Sequence, residues 1–361
     1  MHITLIAGAR PNFMKVSPII KAIKEAQDNG KNICYSLVHT GQHYDKNMSE
    51  TFFEELGIPE PDVNLGCGGG TQAEQTAAIM VAFERYLTEN PTDLVMVVGD
   101  VTSTMACSIV AKKLNTQVTH VEAGIRSWDL TMPEEINRMV TDCLADFYFT
   151  TSEVANQNLR NAGVEENRIH FVGNVMIDTL MQNHGRFRRT AICDELNLQK
   201  GKYIVLTLHR PANVDQASGL KRLMNEIIRN VCGEPIIFPI HPRTARIFRD
   251  LGISAPNLHI VEPLGYLEFN YLVEHARAVV TDSGGITEET TVMGIPCITL
   301  RDNTERPETC TIGTNELIGT NPDNLKPALQ KLYSGQWKKG DIPPLWDGHT
   351  AERIVELLLQ K

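Results

Sequence analysis

The stretch VVTDSGGITEE, from Val279 to Glu289, reads as a strand, a glycine-containing turn and the start of a helix. Its two valines end an apolar run typical of a buried strand, and the residues from Ile286 to Met293 are helical in character. Backbone N–H groups at a helix start attract anions, and glycine lets a phosphate approach closely. The stretch therefore predicts a phosphate-binding turn, but the turn alone does not explain the two adjacent carboxylates that follow it.

The same alternation of short apolar runs with helical segments extends along the whole chain. The runs are ITLIA, LVMVV and VTHVE in the first half, and YIVLTL, PIIFPI, LHIVE, AVVTD and PCITL in the second. Each is followed by a loop and a helical segment, the βαβ pattern of a parallel sheet covered on both faces. Because the pattern occurs twice, we expect an α/β protein with two doubly wound, Rossmann-like domains, residues 1–173 and 174–345. The last helical segment, within residues 346–361, could pack on either domain.

Composition and charge limit the partners of this chain. The 361 residues are 42% hydrophobic and 22% charged, with a formal net charge of -10. This balance argues against contact with nucleic acid or an anionic membrane, and no apolar run reaches membrane-spanning length. The start MHITLIAGAR lacks the features of a signal peptide, and the eight cysteines have no zinc-type spacing. We therefore expect a cytoplasmic protein with reduced thiols and no bound metal.

Polar motifs follow five of the apolar runs, where ligands of parallel sheets usually bind. They are GARPNFMK, GDVTST, EAGIRSWDLTMPEEINR, HRPAN and DSGGITEE. Singly, each could be an ordinary strand-to-helix loop. The sequence lacks G-x-G-x-x-G after its first strand and lacks G-x-x-x-x-G-K-[ST], which argues against nicotinamide and ordinary NTPase chemistry. Phosphate-attracting groups together with several carboxylates are what a sugar-nucleotide enzyme would need.

Two cations and two carboxylates in the first half stand out. Arg10 and Lys15 lie at a helix entry, where positive charge is unfavourable, so a polyanion is expected to hold them. Asp100 follows a strand, and Glu122 directly continues another whose preceding residues are apolar. Glu122 should be paired or point toward the space between the domains, with the raised pKa that general acid–base catalysis uses.

A third carboxylate and two histidines are less informative by themselves. Glu134 lies four residues before Arg138, the spacing of an ordinary surface ion pair. His209 ends a strand, and its place next to a possible phosphate site slightly favours a functional role, whereas His241 is less persuasive. The apolar residues expected on the buried face of the helix that carries Glu134 are Ile136, Met139, Val140 and Cys143.

Nine motifs, taken in order, resemble one enzyme family. GARPNFMK, TGQHYD, GDVTSTMA, HVEAGIRS, MPEEINR, VGNVMIDTL, LHRPAN, TDSGGITEE and RDNTERPE are similar to motifs of the non-hydrolysing UDP-N-acetylglucosamine 2-epimerases. The resemblance covers nearly the whole chain, from Gly8 to at least Glu308. It implies a glycosyltransferase-B-type fold with the active site in a cleft between two domains, and a last helix (346–361) that crosses back to the first domain. It also implies a homodimer that acts on a UDP-sugar without a metal or other cofactor, supplying polysaccharide or cell-envelope synthesis.

The resemblance also implies roles for single residues. Glu289 would accept hydrogen bonds from the ribose hydroxyls beside the diphosphate, which explains one carboxylate, while Glu288 is expected to face solvent. Two carboxylates would handle protons on the two faces of sugar carbon 2 while UDP leaves and returns, and a third would orient them or exchange protons. The implied catalytic residues are Asp100, Glu122, Glu134 and His209. The implied substrate-binding residues are Arg10, Lys15, Gln42, Arg138, His241, Phe269, Ser283, Gly284, Gly285, Glu289 and Arg306.

Departures from the family pattern bear on regulation and substrate. The stretch from His209 to Asn213 has Pro211 and Ala212 where some bacterial members have the Arg and Glu of a second site, which argues against activation by a second UDP-N-acetylglucosamine. GARPxFxK, TGQHxD and HRxxN also resemble the branch that acts on UDP-2,3-diacetamido-2,3-dideoxyglucuronate, whereas Thr304 to Glu308 resembles the simpler branch. We expect UDP-N-acetylglucosamine as substrate and keep the diacetamido uronate as the alternative. A hydrolysing epimerase, a glycosyltransferase and a non-enzymatic sugar-nucleotide sensor are the other readings.

Overall fold

The computed structural model describes residues 1–41, 55–214, 217–240 and 242–360. The chain divides into two units according to its internal contacts. The first unit consists of Met1–Gln182 and Pro344–Lys361, and the second is Asn183–Pro343. Two of the expected substrate-binding residues, Gln42 and His241, lie outside the described residues.

The first unit is a parallel sheet whose strands are connected mainly through helices. Its strands are β1 (His2–Ala7), β2 (Cys34–His39), β3 (Val63–Asn64), β4 (Leu94–Val98), β5 (Gln117–Val121), β6 (Phe147–Thr150) and β7 (Ile169–Phe171). Its helices include α1 (Arg10–Asp28), α2 (Gln72–Glu89), α3 (Thr102–Lys113), α4 (Pro133–Leu144), α5 (Glu153–Asn161) and the start of α6 (Val175–His184). The strand order among these residues is β3-β2-β1-β4-β5-β6-β7, so the direction of winding reverses at β1 and β4.

The second unit repeats this architecture. Its strands are β8 (Ile204–Thr207), β9 (Ile236–Pro239), β10 (Leu258–Val261), β11 (Ala278–Thr281), β12 (Cys297–Thr299) and β13 (Asn315–Leu317). Its helices are α7 (Ala191–Glu195), α8 (Pro211–Val214), α9 (Ala217–Asn230), α10 (Pro242–Asp250), α11 (Tyr266–His275), α12 (Gly284–Met293), α13 (Pro307–Thr311) and α14 (Leu325–Tyr333). The order is β10-β9-β8-β11-β12-β13, and the winding reverses at β8 and β11. The residues that follow these two neighbouring strands are therefore brought together.

The central strands are mostly apolar because helices cover both faces of each sheet. All five residues of β4, LVMVV, are buried, and so are all four of β11, AVVT. The predicted α/β class with two doubly wound parallel sheets is confirmed. Within the described residues, no helix has both the length and the apolar character needed to cross a membrane.

The last helix, α15 (Thr350–Leu359), belongs to the first unit and packs on α1. The Asp178 carboxylate on α6 accepts hydrogen bonds from the backbone N–H groups of Thr350 at 3.1 Å and Ala351 at 2.7 Å. These bonds satisfy donors at the helix start that have no partner within the helix. Most of α6 lies in the first unit, although we placed the start of the second domain at residue 174.

Candidate active site

In the first unit, the residue after β5 meets a cation from α1. Glu122 is only 4% exposed, and its φ of 70° lies in the left-handed region that residues with a side chain rarely adopt. Its backbone N–H donates to the Phe149 carbonyl at 3.0 Å, which holds this turn against β6. The Glu122 carboxylate forms an ion pair with the Lys15 ammonium group. An anion of the chain itself therefore lies beside one of the two cations that we expected a polyanion to hold.

Asp100, two residues beyond the end of β4, is held by helix α4. Arg138 forms an ion pair with Asp100 through Nη2, while its Nη1 donates to Glu135 Oε2 at 2.7 Å. The Asn137 side chain donates to the Asp100 carbonyl oxygen at 2.9 Å. Neighbours on a single helix thus hold both the carboxylate and the backbone of Asp100.

The burial pattern of α4 contradicts the apolar face expected from its sequence. Ile136 is 48% exposed and Met139 is 39% exposed, and Cys143 is exposed too. Arg138 is buried, so the prediction that it forms an ion pair with Glu134 at the surface was also wrong. Burial of this charged face is compensated by ion pairs with distant parts of the chain. The buried residues of the helix are Glu135, Asn137, Arg138, Thr141 and Asp142.

His120, Asp142 and Arg126 form a second buried cluster in the first unit. His120, fully buried in β5, places Nδ1 2.7 Å from Asp142 Oδ1 and Nε2 2.8 Å from the Gly99 carbonyl oxygen. The other oxygen of Asp142 accepts the Gly124 N–H at 3.0 Å and lies 2.6 Å from Arg126 Nη1. Burial by itself raises the pKa of Asp142, but His120 and Arg126 outweigh it, so that this pKa lies below its ordinary value.

In the second unit, Asp282 joins the loops that follow β8 and β11. Its fully buried carboxylate accepts the backbone N–H groups of His209 at 3.1 Å and Arg210 at 2.9 Å, and the Asn213 amide at 3.1 Å. His209 Nδ1 lies 2.8 Å from Asp282 Oδ1, while the His209 side chain is 62% exposed. Burial raises the pKa of Asp282, but hydrogen bonds, above all from His209, leave it below its ordinary value. Asp282 orients the imidazole so that Nε2 is the ring nitrogen available to a ligand.

The predicted phosphate-binding turn is the first turn of α12. Ser283 is the N-cap residue, and Gly284 and Gly285 begin the helix. A Cβ atom at Gly285 would meet nothing within 4 Å, and one at Gly284 would lie 3.5 Å from the Arg301 guanidinium group. Packing inside the chain therefore requires glycine at neither position. The missing side chains leave space beside the backbone N–H groups of the helix start, where an anion is favoured.

The two adjacent glutamates of α12 are both buried but have different partners. Glu288 forms an ion pair with Arg306, so the expectation that it faces solvent was wrong. Glu289 accepts a hydrogen bond from the Tyr266 hydroxyl at 2.9 Å. Burial raises the pKa of Glu289 to about 7, against the lowering effect of this hydrogen bond. One carboxylate is held by a cation and its neighbour by a neutral phenol.

Three further residues that were expected in the site are Arg10, Glu134 and Phe269. Arg10 is the exposed first residue of α1 and interacts electrostatically with Glu55. Glu134 is half-buried in the first turn of α4. Phe269 is half-buried in α11 and packs against the core of the second unit. Within the described residues, no group of three or more His, Cys, Asp or Glu side chains could hold a metal ion.

Known proteins resemble the chain along its whole length. The family model described as UDP-N-acetylglucosamine 2-epimerase matches residues 25–359. The chain belongs to this family. Its relatives include a UDP-N-acetylglucosamine 2-epimerase of Methanocaldococcus jannaschii, 41% identical over 99% of each chain. They also include the UDP-2,3-diacetamido-2,3-dideoxy-D-glucuronate 2-epimerase of Pseudomonas aeruginosa, 38% identical over 99% of each chain.

A solved structure of the same family matches the fold as closely. The M. jannaschii UDP-GlcNAc 2-epimerase in complex with UDP-GlcNAc and UDP has a TM-score of 0.89 and 40% identity, with 100% of each chain covered. These comparisons confirm the family resemblance seen in the nine motifs. The chain is accordingly a member of a family of isomerases.

Sequence reasoning did not single out several of the residues that hold the candidate groups in place. Glu135 and Asp282 lie inside quoted motifs, each directly beside a residue that was assigned a role, so a signal was present for both. His120 lies in HVEAGIRS but looks like one more residue of a buried strand. Asp142 has no such signal, because its partners His120 and Arg126 lie on other elements of the chain.

Proposed function

We propose that this protein converts UDP-N-acetylglucosamine into UDP-N-acetylmannosamine by inverting carbon 2 of the sugar, reversibly. The observation that carries the proposal is the similarity of the entire chain to the M. jannaschii enzyme, whose structure is a complex with UDP-GlcNAc and UDP. Because the fold alone does not identify a substrate, the charged groups of each unit must also suit the reaction.

The second unit is proposed to bind UDP. The turn formed by Ser283, Gly284 and Gly285 would receive the diphosphate, since the backbone N–H groups and the positive end of the helix dipole both favour an anion. The Glu289 carboxylate would accept hydrogen bonds from the ribose hydroxyls. A diol is neutral, so a carboxylate that recognises it does not need a cation at its side.

His209 is proposed to stabilise UDP as it leaves. Breaking the bond between sugar carbon 1 and the phosphate oxygen leaves additional negative charge on that oxygen. A protonated His209 can donate a hydrogen bond to it from Nε2, and the buried Asp282 carboxylate at Nδ1 fixes the orientation of the ring. In this scheme Asp282 is a positioning residue.

The first unit is proposed to move the protons. One carboxylate removes the hydrogen of carbon 2 as a proton while the carbon 1–oxygen bond breaks with its electron pair going to UDP, which leaves 2-acetamidoglucal. The group on the other face takes up a proton from solvent and delivers it to carbon 2 while the UDP oxygen forms the bond to carbon 1 again, and the first group then loses its proton to solvent. We assign the two faces to Asp100 and Glu122, with Glu134 orienting them or exchanging protons. The hydrogen leaves as a proton, so the scheme needs no redox cofactor or metal.

The cations beside these carboxylates support that assignment. A carboxylate can accept a proton only when it is ionised, and a neighbouring positive charge favours the ionised form. Lys15 supplies that charge for Glu122, and Arg138 supplies it for Asp100. The two candidate bases are therefore held separately, each by its own cation.

The second candidate substrate is UDP-2,3-diacetamido-2,3-dideoxyglucuronate. The P. aeruginosa relative that is named for this sugar is 38% identical to the chain, against 41% for the M. jannaschii relative. The proton chemistry at carbon 2 would be the same for both sugars. A homodimer, a cytoplasmic location and a role in polysaccharide supply remain predictions.

The experiment that tests the proposal is incubation of the purified protein with UDP-N-acetylglucosamine in deuterated water, followed by proton and phosphorus NMR. We expect UDP-N-acetylmannosamine with deuterium at carbon 2 and little lasting free UDP. The matched control is D100N, which keeps the size of the side chain but removes the base. The diacetamido uronate is tested in parallel under the same conditions.

Each competing activity gives a different result. Lasting free UDP with free N-acetylmannosamine would indicate a hydrolysing epimerase, and turnover only with an added acceptor would indicate a glycosyltransferase. Turnover of the diacetamido uronate alone would change the substrate and keep the reaction. Binding of either sugar by folded protein with no deuterium incorporation would overturn the enzymatic proposal in favour of a sensor.

A further inference from the structure

The fully buried side chain of His120 contacts two groups that accept hydrogen bonds. Its Nε2 lies 2.8 Å from the Gly99 carbonyl oxygen, which has no hydrogen to donate. Its Nδ1 lies 2.7 Å from Asp142 Oδ1. A neutral imidazole has one nitrogen with a hydrogen and one without, whereas an imidazolium has a hydrogen on both. If Asp142 is ionised, both ring nitrogens of His120 must donate.

The surroundings of Asp142 favour its ionised form. Its second oxygen accepts the Gly124 N–H at 3.0 Å and lies 2.6 Å from the guanidinium group of Arg126. An ionised carboxylate has only acceptor sites, and these contacts use them on both oxygens. The geometry at both ends of the ring therefore points to a positively charged His120.

The ion pairs that include the two candidate bases and the partners of His120 have equal numbers of positive and negative groups when His120 is charged. Within the part of the first unit that the structure describes, ion pairs join Lys15 to Glu122, and Arg138 to both Asp100 and Glu135. The remaining carboxylate, Asp142, is shared by Arg126 and His120. With an imidazolium the network has four cations for four carboxylates, and with a neutral ring it has one excess negative charge. Buried charge without compensation is strongly unfavourable.

The contact with Gly99 connects His120 to both candidate bases. Gly99 is followed directly by Asp100, and its own N–H donates at 3.0 Å to the carbonyl oxygen of Val121, the residue before Glu122. A Cβ atom at Gly99 would lie 2.9 Å from Lys15 Nζ and 3.4 Å from Glu122 Oε2. A shift of this glycine would therefore disturb the Asp100 turn, the Glu122 turn and the Lys15 ion pair together.

We propose that His120 is a positioning residue that donates a hydrogen bond from each ring nitrogen, and that these two bonds set the separation of Asp100 and Glu122. It joins the turn after β4 to helix α4, which carries the Arg138 that holds Asp100. Its role in turnover rests on the proposed epimerase function, while its protonation state does not. Active-site groups need support of this kind because small errors in their positions are costly.

The ring faces charged or titratable groups from several elements. Asp142 belongs to α4, Arg126 to the loop after β5, and the Lys15 and Glu122 pair lies next to Gly99. On the neighbouring strand β6, the Tyr148 hydroxyl donates to the Asp142 carbonyl oxygen at 2.8 Å. Nothing among these contacts offers a hydrogen to either ring nitrogen except Asp142 itself, if it were protonated.

The first test measures the protonation state directly in wild-type protein. Proton–nitrogen NMR of the histidine rings at pH 7.5 is assigned by the signals that disappear in H120Q. We expect both ring nitrogens of His120 to carry a hydrogen, with nitrogen shifts typical of imidazolium. One ring nitrogen without a hydrogen would overturn the charge assignment, because the proton would then lie on Asp142 or be absent.

The second test measures positioning. In H120Q the amide can still donate toward Gly99 but has no charge and no bond to Asp142, so the two turns should lose their fixed separation. We expect kcat and the rate of deuterium incorporation at carbon 2 to fall about 100-fold, the effect of a displacement near 1 Å. KM and UDP affinity should change much less than kcat, because the turn and the glutamate proposed to bind UDP are in the other unit. The control is H170N, a histidine of β7 outside this network.

The outcomes separate this inference from the proposed function. Wild-type kcat in folded H120Q would overturn the positioning role, and an equal loss in H170N would show a general effect of histidine removal. If H120Q does not fold, the H120Q/D142N double variant, which removes both charges, takes its place under the same criteria. If wild-type protein converts neither sugar, the proposed function fails, while the ring signals still decide whether His120 is charged.

Discussion

The carboxylates around the two candidate bases in the first unit and the two glutamates of α12 in the second unit are held by different kinds of partner. In the first unit Glu122, Asp100, Glu135 and Asp142 each have a Lys, Arg or His partner. In the second unit Glu288 has Arg306, but the next residue, Glu289, is held by the neutral hydroxyl of Tyr266.

The kind of partner affects whether a buried carboxyl group is ionised. A cation nearby keeps a buried carboxylate ionised, as in Asp142, whose pKa lies below its ordinary value although burial raises it. Without a cation, burial raises the pKa of Glu289 to about 7. The first unit thus places a cation beside each of these carboxylates, whereas the second has a carboxyl group whose charge depends on pH near neutrality.

The largest expected effect is on kcat, and it tests a carboxylate that is paired with a cation. E122Q removes a proposed base while keeping its size, so kcat should fall roughly 10²- to 10⁴-fold, as for loss of general acid–base catalysis. Steady-state epimerisation assays measure it, with UDP binding by calorimetry expected to be unchanged. E165Q, at an exposed glutamate of the same unit, serves as the control. A kcat near that of wild type would remove Glu122 from the mechanism.

The next effect concerns the paired glutamate of the second unit. R306M leaves the Glu288 carboxylate buried without this cation. The free energy of unfolding should therefore fall by about 3–5 kcal/mol. Calorimetric melting without nucleotide measures it. The double variant E288Q/R306M should recover most of the loss, and R229M, at an exposed arginine, should melt as wild type does. Equal losses in the single and double variants would show that charge is not the cause.

A pH dependence tests the unpaired glutamate. The pKa of Glu289 rises from 4.5 to about 7 on folding, so the native state binds the extra proton between these values. The stability that this proton contributes is complete below pH 4.5 and is lost as pH rises through 7, up to about 3 kcal/mol. Relative to E289Q, wild-type protein should therefore become less stable between pH 5 and 8. Melting curves of both proteins across this range measure the difference, and a constant difference would contradict the raised pKa.

The smallest effect concerns the phenol that holds Glu289. Y266F removes the hydrogen bond at 2.9 Å, which should lower stability by about 1 kcal/mol and raise the pKa of Glu289 further. The pH at which stability is lost should then move upward in the same melting experiments. Y271F, whose hydroxyl lies 3.4 Å from Arg189 on the surface, is the matched control. A profile identical to wild type would mean that Tyr266 has no influence on this carboxyl group.

Much of the fold could be predicted because it depends on local patterns. Strand β4 is apolar at every residue and β11 at its first three, and both patterns are visible without knowledge of the sheet. The turn before α12 was also predictable, because Gly284 and Gly285 mark the start of this helix. The start of the second unit was placed at residue 174, whereas α6 stays mostly with the first unit, since its contacts with α15 come from the far end of the chain.

The candidate site was predicted only in part for the same reason. Residues at strand ends could be named from their order in the sequence, but the inward face of α4 could not. Its apolar residues Ile136 and Met139 are exposed, and its charged residues Arg138 and Asp142 are buried. Periodicity predicts that apolar residues are buried, and this fails where charged residues find partners on other elements.

The sequence by itself determined the α/β class, the family and the residue types that could bind UDP and move protons. These properties depend on short stretches of chain, whose alternation of apolar and polar residues and whose glycines act locally. Only the tertiary structure decided which carboxylates are paired with cations, that Asp282 orients His209, and that His120 lies between Asp142 and Gly99. Electrostatic pairing depends on distance in space, and in this protein the decisive partners are far apart in the sequence.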